Sequence, residues 1–192
     1  MLTEMRPIEY FKEMVSLAIK RQRVRASETT EFYISNLLAS YTSAERFSSS
    51  TGEPAAMTFL KALGAGGETR ARLLKDLGDI SLFTSGFFSD SLSRSLVDVD
   101  YYIKMGAASY ILLASLHKGG RAGDIASLFH ELAQKFPVFV EVLAEVSETT
   151  RLTSSKDILR VYERWLRTKS KRAEAMLREL GIEPLDVGMG VQ

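Results

Sequence analysis

Apolar residues recur along the chain at intervals of three and four, the period of an amphipathic helix. Ile8, Phe11, Val15, Ala18 and Ile19 share one face after Pro7, a residue suited to a first helical turn. This first helix is expected to run to about Arg25 and to end in a basic turn, Lys20, Arg21, Arg23 and Arg25. Ser27, followed by Thr30 and Glu31, reads as the N-cap of a second helix whose buried face is Phe32, Leu37, Leu38 and Tyr41. Ser48–Pro54 breaks the pattern as a loop, and a short helix through Met57, Leu60 and Leu63 closes at Gly64. No alternating run bounded by Asn-Gly or Asp-Gly turns appears, so no sheet is expected.

The middle of the chain reads differently. After the Gly64–Gly67 turn, a helix is expected to close at Gly78, and a second, short one to start on an Asp79 cap and run through Phe83. Leu77–Met105 carries five aromatics (Phe83, Phe87, Phe88, Tyr101, Tyr102) and four aspartates (Asp79, Asp90, Asp98, Asp100) against Arg94 and Lys104 alone. Short polar side chains beside large rings suit turns and buried hydrogen bonds better than a solvated helix face. From Val99 to Leu116 the residues are apolar or small on nearly every side, which predicts a central helix covered by neighbours. His117–Asp124 is the sharpest interruption and ends that helix. Ile125, Leu128, Phe129, Leu132 and Phe136 mark the next, and Val138–Val146 another, with Glu141 and Glu145 at helical spacing. Thr153–Ser155 cap a last helix through Ile158, Val161, Trp165 and Leu166 to Leu180. The expected fold is all-α: one domain over residues 1–183, an irregular bundle of about seven to nine helices around a central apolar one. Residues 184–192 read as a flexible tail.

Composition narrows the chemistry. The 192 residues are 45% hydrophobic and 26% charged, enough for a sizeable core. Basic and acidic side chains number 25 and 24, and they balance locally too: seven of each over residues 1–60, eleven of each over 119–192. No one-signed region therefore favours nucleic acid or an anionic membrane. The basic residues of the last helix (Arg160, Arg164, Arg167, Lys169, Lys171, Arg172) read equally well as a solvated face interleaved with Glu163 and Glu174. With no cysteine, disulfides, thiolate metal sites and cysteine nucleophiles are excluded. The start lacks the apolar run of a secretory signal, and no apolar stretch is long enough to span a bilayer, so a cytoplasmic location is expected.

Candidate chemistry rests on few residues. Neither His117 nor His130 follows a Glu by three, which excludes the Glu-x-x-His pattern of helical di-iron sites. No Gly-x-Ser-x-Gly elbow exists, and Gly64–Gly67 lacks the strand and Gly-Lys-Ser/Thr of a P-loop. The better lead is Asp79, Asp98, Asp100, Tyr101 and Tyr102: converging carboxylates could take a hard cation such as Mg²⁺, or they could be ordinary helix caps. No metal, cofactor or catalytic residue is assigned. Two classes of function remain. One is a noncatalytic interaction or regulatory module that self-associates as a dimer, with Phe11 or Trp165 as anchor on the terminal helices. The other is an enzyme or small-ligand binder built on the Asp and Tyr residues of the middle segment.

Overall fold

The computed structural model describes residues 7–41, 54–88, 92, 98–117 and 122–149, with Trp165, Lys171 and Glu174. Among them are seven helices and no strand: α1 (Pro7–Arg21), α2 (Glu28–Tyr41), α3 (Ala55–Gly64), α4 (Gly67–Phe87), α5 (Val99–Leu116), α6 (Ala122–Gln134) and α7 (Phe136–Thr149). The all-α reading holds. Most of the expected last helix, the 184–192 tail and Asp90 lie outside the described residues, although Trp165, Lys171 and Glu174 are each helical.

Local sequence sets the helix ends. α1 stops at Arg21 because Arg23 takes a left-handed backbone, φ 55°. The Arg23 N–H then bonds the Lys20 carbonyl (3.2 Å) and the Val24 N–H that of Ile19 (3.0 Å), the paired bonds of a Schellman stop. Ser27 caps α2 as expected, its Oγ accepting from the Thr30 N–H at 3.2 Å. Asp98 caps α5, accepting from the Tyr101 N–H at 2.9 Å. Pro137 falls in the first turn of α7, where a missing N–H costs nothing.

The greatest departure is at α4. Gly78 neither ends one helix nor leaves Asp79 to open another; a single helix runs from Gly67 to Phe87. The glycines serve close packing rather than breaks. A Cβ at Gly78 would stand 2.3 Å from the Tyr110 ring, and one at Gly86 2.4 Å from Leu143 Cβ. Gly106 on α5 is matched in the same way to the Phe136 ring, at 2.3 Å.

Burial therefore centres on α4, not on Val99–Leu116. Ten residues of α4 are buried, from Leu74 to Phe87, against five of α5. α4 packs against α3, α5 and α7 and touches α2, while α5 also packs on α6 and α1 bridges α2 and α7. α5 is apolar on nearly all sides and packs on both α4 and α6, yet it leaves Ile111 and Leu116 in solvent. Rings fill the far end of α4: Phe83 stacks between Tyr41 (4.8 Å) and Phe87 (5.1 Å), with Phe88 edge-on at 5.5 Å.

Candidate functional site

Continuity of α4 through Gly78 turns Asp79 inward. Its residue is 3% exposed, held in the middle of the bundle where an uncompensated charge would cost several kcal/mol. Three donors compensate it. Oδ1 accepts from the Tyr33 hydroxyl of α2 (2.5 Å) and the Tyr110 hydroxyl of α5 (2.8 Å). Oδ2 accepts from Lys75 Nζ, one turn earlier on α4, at 2.6 Å. The Lys75 ammonium also lies 5.3 Å from the centre of the Tyr33 ring. Burial pushes both phenols well above their ordinary range, and the adjacent Asp79 charge pushes them further, so each stays a protonated donor. Phe129 of α6 closes the group, edge-on to Tyr33 at 5.6 Å and tilted against Tyr110 at 5.4 Å. One carboxylate thus ties α2, α4 and α5 together.

The other acidic and tyrosine candidates lie elsewhere. Asp79 meets α5 at Tyr110, ten and twelve residues beyond Asp100 and Asp98, or about 15–18 Å along the helix axis. Asp98 is the α5 cap, and Asp100 is exposed in the first turn. The Tyr101 hydroxyl accepts from the Ala56 N–H at 3.0 Å, satisfying a donor at the start of α3. Tyr102 stands edge-on to Tyr101 at 5.4 Å, its phenol raised by burial and then by that neighbour. Among the described residues no three acidic or histidine side chains are placed to hold a metal ion.

A second polar cluster, unforeseen in the sequence, ties α6 to the α1–α2 turn. Glu131 Oε2 accepts from the Ser27 and Thr30 hydroxyls, both at 2.7 Å, and Lys135 Nζ donates to Oε1 at 2.8 Å. Lys135 also donates to the Arg25 carbonyl at 2.6 Å. Partial burial alone would raise the Glu131 carboxyl; the bonds from Lys135, Thr30 and Ser27 outweigh it and bring the pKa down to about 2.

Of the expected interface anchors, Phe11 is 3% and Trp165 5% exposed in the single chain. Large apolar side chains are uncovered on α3 instead: Met57 (48%), Leu60 (60%) and Leu63 (44%), at intervals of three and so on one side of the helix. Ala62 is the buried residue of α3, and Phe59 packs at the edge of the core. Lys61 is the lone charged side chain on this helix.

Tyr33, Lys75 and Tyr110 were not legible as partners of Asp79. A helix continued through Gly78 would have shown Asp79 four residues after Lys75 and three before the buried Leu82. No family model, curated protein or solved structure matches the chain.

Proposed function

We propose that the protein is a noncatalytic helical interaction module whose docking surface is the outward side of α3. The observation that carries this reading is a contrast. Among the described residues the most buried carboxylate, Asp79, is held by three donors from its own fold, whereas Met57, Leu60 and Leu63 lie in solvent with no acid on their helix. Three side chains of this size expose on the order of a few hundred Å² of apolar surface, the scale at which surface patches are often functional.

The occupant proposed is a second copy of the chain. A two-fold axis would set the α3 stripes against each other, the commonest solution for a self-complementary patch. Near-neutral net charge, +1, places little long-range repulsion in the way. The area falls below the ~800 Å² per partner of a tight complex, so the dimer is weak and concentration-dependent. Sedimentation velocity on the full chain from about 1 to 200 µM tests this. The expected result is a rise in weight-average mass that Leu60→Glu abolishes while leaving the melting temperature within a few degrees. A monomer throughout that range would overturn self-association, as would a dimer indifferent to Leu60→Glu.

A further inference from the structure

Between α2 and α4, beside Asp79, lies a depression of about 250 Å³ lined by Tyr33, Asn36, Leu37, Ser40, Lys75 and Asp79. We infer that it binds a small, neutral, polyhydroxylated molecule of about monosaccharide size. Asn36 sits four residues before Ser40 on α2, and Lys75 four before Asp79 on α4, so each helix presents two polar residues one turn apart. The lining mixes donors and acceptors. Lys75 Nζ has three N–H groups, of which one reaches Asp79; Asn36 donates to the Phe32 carbonyl at 3.1 Å and keeps its own carbonyl and a second N–H. Among the described residues Asp79 Oδ2 accepts from Lys75 alone, leaving it a lone pair.

Charge decides the class. Lys75 and Asp79 stand 2.6 Å apart, so an ion of either sign would meet attraction and repulsion from nearly the same distance. A hydroxyl meets neither conflict: it donates to a carboxylate oxygen and accepts from an ammonium at once. Vicinal hydroxyls extend this to the Asn36 amide, and the half-buried Tyr33 ring offers apolar surface to the C–H face of a ring. Asp79 is pre-oriented by the Tyr33 and Tyr110 hydroxyls, so little ordering is left for binding to cost. This inference is independent of the α3 surface.

Saturation-transfer NMR on the full chain tests it, with glucose, galactose, mannose and myo-inositol at about 10 mM, and with acetate, methylammonium and glycine as ionic probes. Sugars and the cyclitol share the hydroxyl chemistry, and their ranking tells the two sources apart. The expected result is transfer to at least one polyol, weakened tenfold or more by Lys75→Met and by Asn36→Ala. Asn36 is exposed, so its variant keeps the fold should Lys75→Met disturb it. Any of three results would overturn the inference: no transfer to any polyol, equal or stronger transfer to an ionic probe, or polyol binding that Asn36→Ala leaves unchanged.

Discussion

At the scale of single residues, glycine to alanine changes separate the two roles open to Gly78. In an exposed helix such a change is stabilising by up to about 1 kcal/mol. At Gly78 the added methyl would meet the fully buried Tyr110 ring at 2.3 Å, and both sides are backed by core. Gly78→Ala is expected to destabilise by about 1–3 kcal/mol, as overpacked cores do. Gly64→Ala, at the exposed last residue of α3 with nothing within 4 Å, is the control. Urea melts of the pair check it; a stabilised Gly78→Ala would remove close packing as the reason for this glycine. The two α5 tyrosines differ similarly. Tyr110→Phe removes a buried hydroxyl from a carboxylate and is expected to cost about 1.5–3 kcal/mol. Tyr101→Phe, at an exposed bond to Ala56, is expected to stay within about 0.5 kcal/mol.

At the scale of elements, the sequence was readable wherever one side of a helix is buried against solvent on the other. Ile8 to Ile19, the Ser27 cap, the Asp98 cap and the helix over Val138–Val146 all follow from periodicity and capping chemistry, although Phe136 opens α7 instead of closing α6. What misled was residue type without context. Gly78 and Asp79 resemble a stop and a start, and only the facing Tyr110 shows why neither ends a helix. The apolar run of α5 suggested burial on all sides, yet propensity cannot tell which helix a bundle places in the middle. Phe11 and Trp165 suggested an open stripe, yet each is buried within the single chain. The sequence grouped Asp79 with Asp98, Asp100, Tyr101 and Tyr102, but did not show the distance between them: Asp79 lies on α4 beside Tyr110, and the others at the start of α5.

The Glu131 clamp gives an element-level prediction with a sign. Its carboxyl sits at about 2 in the fold against an ordinary 4.5, so the unfolded chain takes up the proton first as pH falls. The stabilisation is thus present above about pH 4.5 and lost progressively toward pH 2. Glu131→Gln should lower stability at pH 7 and flatten the acid limb of the stability curve between pH 4.5 and 2. An acid limb identical to that of the parent chain would show that the clamp contributes nothing.

At the scale of the whole molecule, α4 packs directly against α2, α3, α5 and α7, and at Asp79 it is bonded to α2 and α5. Among the described residues no helix is long and apolar enough to cross a membrane. The buried Asp79 is held by donors of the fold itself, while α3 leaves three large apolar side chains, Met57, Leu60 and Leu63, in solvent on one side. Hydrogen–deuterium exchange of the full chain at about 1 and 200 µM tests that claim most directly, because it reports where copies meet as well as whether they do. The account predicts slowed exchange at high concentration across Ala55–Gly64, with α1 unchanged. Slowing centred on Pro7–Arg21, or identical exchange at both concentrations, would contradict it.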